Sequence, residues 1–237
     1  MAKKADKYFK EDKWKIIEEG FNPDYGMVSE SIFSLANEYM GVRGYFEEGY
    51  SGNKLIGSYF NGIYERSEPD YNHYKGVADF TEYMVNSVDW LYTRIEIDNE
   101  QLDLYKSDFE KFYRELDMKT GILTREFVWK TAKGKRIAIK FERCLSMTEV
   151  ERSTWQASIK ALNFNGKIYV TTGLDFSNIH RNSGENMWNC GEKFIQADKN
   201  ITLGIEGTTI NTGLKISSNC KIQADYESME KIIEDKL

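Results

Sequence analysis

The feature of this sequence that most constrains its fold is a two-residue alternation of apolar and polar side chains within residues 89–222. In the stretch that begins at Arg136, for example, Ile137, Ile139 and Phe141 occupy every second position, opposite in parity to Arg136. Successive side chains of a β-strand point to opposite faces of a sheet, so this period predicts strands with one buried face. The region is therefore predicted to form antiparallel β-structure.

Turn residues divide this region into short strands. Tight connections are predicted at residues 98–100, 119–121, 133–134 and 163–166, and the last three contain a glycine, which accepts the positive φ that tight turns need. Both prolines lie in the first third of the chain, so no residue of the alternating region lacks a backbone donor. The predicted strands cover residues 90–97, 102–104, 113–118, 122–130, 136–145, 154–162, 167–173, 193–197, 202–206 and 213–217.

The remaining parts of the chain differ from this region in composition and in the period of their apolar residues. Residues 20–88 are richer in glycine, tyrosine and asparagine, which indicates short strands joined by long, shaped loops. Residues 224–237 place apolar side chains near helical spacing, which favours a terminal helix or the start of a further strand. No repeat or linker divides the chain. We predict one all-β domain over residues 1–237, a large antiparallel β-sandwich with few short helices and long loops in its first third.

Composition excludes several classes of function. The net charge of −6 and the pI near 5.2 provide no positive field for nucleic acid or anionic membranes. The basic N-terminus has no apolar stretch of the secretory type, and no later run approaches the length of a membrane span, so a cytoplasmic location is expected. Three widely spaced cysteines and two isolated histidines predict neither disulfides nor a metal site: Cys144, Cys190, Cys220, His73 and His180.

Residues 29–65, which we call the signature segment, combine glycines, aromatics and charges in a more particular pattern than a generic core needs. The pieces at residues 30–34, 37–44 and 57–64 resemble the N-terminal signature of glycoside hydrolase family 65. The similarity extends over nearly the whole chain. The members that it resembles are disaccharide phosphorylases acting on maltose, kojibiose, nigerose or trehalose.

The resemblance implies a specific position within a larger enzyme. It is to the non-catalytic β-sandwich, or super-sandwich, that precedes the (α/α)6 barrel catalytic domain of the family. The chain is therefore expected to be a fragment from which the barrel is absent. The family's catalytic acid is a glutamate of the barrel, and no residue of this chain inherits its role. The family also implies inorganic phosphate as co-substrate, no other cofactor, the chain's own barrel domain as partner and a homodimer.

Residues of the signature segment are candidates for substrate or interface contacts. Tyrosine and other aromatic rings stack on sugar C–H faces, and an arginine can bind phosphate with two hydrogen bonds. Trp188 is a further candidate for contacts beyond the domain, whereas Trp129 and Trp155 are predicted to lie in the core. The candidates in the signature segment are Arg43, Glu47, Tyr59, Phe60, Asn61 and Tyr64.

The acids of the predicted loops are interpreted differently. Glu47, Glu48, Asp175 and Glu185 are expected to be solvated surface charges, because nothing in the sequence brings two of them together across a substrate. For Arg43 the commoner structural outcome is an ion pair with Glu30 or Glu47.

Two other functions remain open at this point. A freestanding carbohydrate-binding or interaction module is one, because a β-sandwich with exposed aromatics serves that purpose. The same domain of a family 65 hydrolase is the other, since the groups that bind phosphate would lie outside this chain. The identity of the disaccharide is not encoded in this part of such an enzyme.

Overall fold

The computed structural model describes residues 9–67, 80–180, 184–197 and 200–225. These residues are predominantly strand, as the alternation predicts, with one short helix α1 (Gly26–Ile32) preceded by a 3-10 turn (Pro23–Tyr25). The strands are β1 (Phe9–Glu11), β2 (Lys15–Glu19), β3 (Leu35–Ala36), β4 (Met40–Val42), β5 (Ser58–Phe60), β6 (Tyr64–Ser67), β7 (Thr81–Met84), β8 (Thr93–Ile97), β9 (Glu100–Gln101), β10 (Asp108–Asp117), β11 (Ile122–Lys130), β12 (Arg136–Leu145), β13 (Ser153–Ala161), β14 (Tyr169–Thr172), β15 (Trp188–Ala197), β16 (Ile201–Thr209) and β17 (Lys215–Ile222).

The largest sheet has six antiparallel strands in the order β1-β2-β10-β11-β12-β13. Its last four strands follow one another as hairpins. Gly121 and Gly134 have φ angles of 69° and 77° in the β10–β11 and β11–β12 connections, which confirms the predicted turns. The predicted bounds of β11 and β12 agree with the structure.

Smaller sheets complete the described part of the fold, in the orders β14-β8-β9, β15-β16-β17, β3-β4-β5 and β6-β7. The expectation of a hairpin at residues 163–166 is wrong, because β14 pairs with β8 rather than with β13. Asn163 explains the departure. Its side-chain oxygen accepts from Arg136 N at 2.8 Å and its amide donates to Gly134 O at 3.0 Å. The end of β13 is thereby fixed to the adjacent β11–β12 turn, and the chain crosses to another sheet.

The core consists of two apolar clusters. Trp129 is fully buried in one of them, as predicted, and Trp155 is half-buried against the other. Within the described ranges no helix is long and apolar enough to cross a membrane. Several predictions concern residues outside the described ranges: residues 226–237 of the terminal helix and the first histidine, His73.

Candidate functional site

Three buried arginines, which we call the arginine row, lie on the inner face of the largest sheet. Arg114 on β10 is paired with Arg125 on β11, and Arg143 on β12 lies two residues from the β12 partner of Arg125. Each is at most 3% exposed. The sequence analysis missed them, although a signal was present: each arginine interrupts the apolar positions of its strand. The flanking residues two positions away are Phe112 and Leu116, Leu123 and Phe127, and Phe141 and Leu145.

Arg114 is neutralised by Glu18, its pairing partner on the neighbouring strand β2. Its Nε and Nη2 donate to Glu18 Oε2 at 2.7 and 2.5 Å, and Ser29 Oγ donates to the other oxygen of that carboxylate at 2.7 Å. A buried charge is tolerated when it is paired and its remaining hydrogen-bonding capacity is used. This contact ties the beginning of the signature segment to β2 and β10.

Arg125 binds two consecutive glutamates. Its Nη1 donates to Glu48 Oε1 and its Nη2 to Glu47 Oε2, both at 2.7 Å, and Arg143 Nη1 lies 3.3 Å from Glu47 Oε1. Burial acts to raise the pKa of Glu47, but the two guanidinium groups outweigh it and hold that pKa below its ordinary value. The expectation that Glu47 and Glu48 are solvated is wrong. Both are buried, because they pair with arginines that lie on the buried face of the sheet.

The arginine row also binds the backbone of the signature segment. Arg143 donates to the carbonyls of Arg43 at 3.1 Å and Tyr45 at 3.2 Å, and Arg114 donates to the carbonyl of Gly44 at 3.1 Å. Three successive carbonyls that would otherwise lack water are thus satisfied from the sheet. The segment is consequently fixed in one conformation over the row.

Gly44 lies in close contact with the C-terminal end of α1: its N–H donates to the Glu30 carbonyl at 2.7 Å. A Cβ there would lie 2.8 Å from Phe33 Cβ and 3.0 Å from two backbone oxygens. We expect Gly44→Ala to lower the free energy of unfolding by about 1–3 kcal/mol, because backbone cannot give way as a flexible side chain can. Gly173→Ala is the matched control, since no atom of the described residues lies within 4 Å of its Cβ position. Urea denaturation measures both; equal effects would contradict the prediction.

A second buried contact links the signature segment to the loop before β8. Tyr45 Oη donates to Asp89 Oδ1 at 2.7 Å, and Leu91 N donates to the same oxygen at 3.0 Å. Burial raises the pKa of Asp89 to about 6 despite these two donors. Asp175, expected to be a solvated acid, is half-buried, and its backbone pairs with that of Asp89.

The end of the signature segment is held by a buried carboxylate. Glu65 is fully buried, and it accepts hydrogen bonds from the backbone N–H groups of Asn211 and Thr212 and from both side chains, at 2.8 to 3.2 Å. These donors lie in the β16–β17 connection. Glu65 therefore joins β6 to the last described hairpin.

Arg43 does not form the predicted ion pair with Glu30 or Glu47. Its guanidinium donates to the Ser31 hydroxyl. Its aliphatic stem packs against Gly57, where an added Cβ would lie 2.7 Å from Arg43 Cδ. Glu47 is already neutralised by the arginine row, so Arg43 remains at the edge of this network, half-buried. Its role in phosphate or interface contact stays a prediction.

The aromatic candidates separate by exposure. Phe60 is 7% exposed and packs edge-on against Tyr39 at 5.9 Å, so it belongs to the core rather than to a contact surface of this domain. Tyr59 and Tyr64 are half-buried, and Asn61 is exposed. Substrate or interface contact by these three remains a prediction.

Trp188 also belongs to the core, which corrects the expectation that it makes contacts beyond the domain. It is 6% exposed, its indole N–H donates to Asn86 O at 2.8 Å, and its ring lies 5.0 Å from that of Phe176. Burial of an indole is favourable when its N–H has such a partner. In the described part of the chain, no group of three or more His, Cys, Asp or Glu side chains is placed to hold a metal ion.

The all-β fold and the buried signature segment define a β-sandwich domain, and comparison with known proteins assigns its family. Residues 16–236 match the family described as glycosyl hydrolase family 65, N-terminal domain. The chain belongs to this family.

Its relatives include several phosphorylases. An α,α-trehalose phosphorylase of Thermoanaerobacter brockii is 33% identical over 194 residues, covering 79% of this chain and 25% of that protein. A maltose phosphorylase of Bacillus subtilis (strain 168) is 34% identical over 183 residues, covering 76% and 24%. A solved structure assigned as a kojibiose phosphorylase from the human microbiome superposes with a TM-score of 0.85 at 35% identity, covering 93% of this chain and 29% of that one. The chain thus spans about a quarter of the length of these relatives.

Proposed function

We propose that this chain is the non-catalytic N-terminal domain of an inverting disaccharide phosphorylase that cleaves an α-glucosyl disaccharide, such as maltose or kojibiose, with inorganic phosphate. The domain supports the (α/α)6 barrel that carries the active site, contributes to the mouth of that site and stabilises a homodimer. The proposal includes a cytoplasmic location. No cofactor besides the phosphate co-substrate is required.

The observation that carries the proposal is the structural use of the signature acids. Glu47 and Glu48 are bound to Arg125, and Glu65 is enclosed by backbone and side-chain donors of the β16–β17 connection. A general acid must reach the glycosidic oxygen, and a buried, fully engaged carboxylate does not. These residues therefore fit a rigid scaffold, and the similarity to phosphorylases supports the choice of enzyme class.

The reaction then divides between two parts of one polypeptide. A carboxylic acid of the barrel protonates the glycosidic oxygen as the bond from this oxygen to C1 breaks, and a phosphate oxygen forms the new bond to C1 from the opposite face. The products are β-glucose 1-phosphate and a free sugar. The candidate residues of the signature segment that are exposed or half-buried are the proposed contacts of this domain with the barrel or the dimer partner: Arg43, Tyr59, Asn61 and Tyr64.

The test is a phosphorolysis assay with the gene product at its full natural length. We expect phosphate-dependent release of β-glucose 1-phosphate from one of maltose, kojibiose, nigerose or trehalose, and no release by the 237-residue chain alone. Release of glucose that does not depend on phosphate would identify a hydrolase instead. Activity of the 237-residue chain alone would contradict the non-catalytic role.

A further inference from the structure

A cleft of about 330 Å³ is lined in part by the signature segment. Its walls come from the 3-10 turn and the start of α1, from residues 50–53 and from Tyr105. Small-molecule sites begin at about 300 Å³, so the cleft suits a ligand the size of a single sugar ring. Neither the arginine row nor the contacts of Asp89 and Glu65 belong to it.

Two tyrosines give the cleft an aromatic wall. The rings of Tyr50 and Tyr105 lie at 82° to each other with centroids 5.7 Å apart. Tyr50 is 5% exposed, whereas Tyr105 is 56% exposed. An exposed tyrosine ring inside a concavity offers the surface on which the C–H face of a pyranose stacks.

Two polar side chains of the cleft are free to bind a ligand. Asp24 and Asn53 are exposed, and neither side chain makes a hydrogen bond within the described residues. The lining, as far as the described residues form it, contains a carboxylate and an amide but no lysine, arginine or histidine. That combination matches the hydroxyl groups of a neutral ligand better than it matches an anion.

An independent observation also indicates a ligand. The Tyr50 hydroxyl is buried, and among the described residues it has no hydrogen-bond partner. Native structures leave few buried polar groups unsatisfied, and each such group calls for a specific explanation. Gly52 makes room for this hydroxyl in the cleft wall, because a Cβ on Gly52 would come within 2.7 Å of the Tyr50 oxygen.

We propose that this cleft is a saccharide-binding site, in which one pyranose ring stacks on Tyr105 while its hydroxyls bond to Asp24, Asn53 and the Tyr50 hydroxyl. The site is separate from the proposed phosphorolysis, which needs groups of the barrel. It would bind a saccharide whether the longer protein is a phosphorylase or a hydrolase. The failure of either proposal therefore leaves the other standing.

The test is calorimetric titration of the 237-residue chain with glucose, maltose and trehalose. A cleft for one ring predicts saturable binding with a dissociation constant in the millimolar range. We expect Tyr105→Ala and Asn53→Ala each to weaken binding by about tenfold. Tyr169→Ala is the matched control, since Tyr169 is 51% exposed on β14, outside the cleft, and should leave the affinity unchanged.

Three results would overturn the proposal. The first is no saturable binding of any of the three saccharides to the folded chain, as checked by circular dichroism. The second is a saccharide affinity that falls by the same factor in Tyr105→Ala and Tyr169→Ala, or that is unchanged in both variants. The third is equal competition by glycerol, which has hydroxyls but no ring face to stack.

Discussion

Replacement of Arg125 by methionine is expected to lower the free energy of unfolding by about 3–5 kcal/mol, because it leaves two buried carboxylates without their shared cation. In this variant Glu47 would keep its ion pair with Arg143, whose Nη1 lies 3.3 Å from Glu47 Oε1. Glu48 would have none, because Arg125 is its only ion-pair partner among the described residues. Methionine keeps most of the side-chain length, so lost packing contributes less than lost charge. Urea denaturation followed by tryptophan fluorescence measures the change.

The control for this experiment is an exposed ion pair. Arg152 and Glu149 pair at 2.7 Å with side chains 73% and 58% exposed, and Arg152→Met should change stability by less than about 1 kcal/mol. Adding Glu48→Gln to Arg125→Met should restore part of the loss, because the uncompensated charge is then removed. A loss in Arg125→Met no larger than that of the control would refute the structural role of the arginine row.

Asp89→Asn is expected to stabilise the chain at neutral pH but not at acidic pH. The native pKa of about 6 lies above the ordinary value of 3.8, so the folded state holds a proton that the unfolded state releases. The contribution of the Asp89 carboxyl group to the free energy of unfolding is fully present below pH 3.8 and is lost as the pH rises through about 6. The difference between the two pKa values corresponds to ~3 kcal/mol at pH 7. Asparagine does not ionise, so it avoids this loss, and its amide oxygen can still accept the hydrogen bonds from Tyr45 Oη and Leu91 N.

The measurement is the stability difference between variant and parent at pH 4 and at pH 7. Taking the difference cancels the other acids, including Glu30, whose pKa burial also raises. A constant difference between Asp89→Asn and the parent at both pH values would show that Asp89 is charged in the fold throughout.

The sequence predicted the regular strands well and the irregular ones only in part. Strands β11 and β12 follow strict alternation, and their predicted bounds are correct. Two strands were predicted several residues too short at their N-terminal ends. β10 has a bulge between Glu110 and Tyr113, with Lys111 at a φ of 58°, and β15 has one between Cys190 and Lys193. An extra residue reverses the face on which all preceding residues of the strand lie, so a continuous alternation of apolar and polar residues begins only after each bulge.

The candidate site was less predictable because its residues have distant partners. Phe60 and Trp188 were assigned to surfaces by residue type, yet both are buried, since an aromatic residue serves a core or a contact surface equally well. Glu47 and Glu48 were assigned to solvent because nothing in the sequence brings two acids together across a substrate. Their partner Arg125 is 78 and 77 residues away.

The sequence by itself determined the all-β class, most strands and the family, since strand periodicity and a family signature are local patterns. Only the tertiary structure decided what the charges of the signature segment do. Alternation says which face of a strand a residue occupies, and not which residue lies opposite in space. Glu18 and Arg114 are 96 residues apart in the sequence, yet Arg114 Nη2 lies 2.5 Å from Glu18 Oε2 in the fold. Such pairs form only when sheet register brings two buried charges together, because neither is stable there alone.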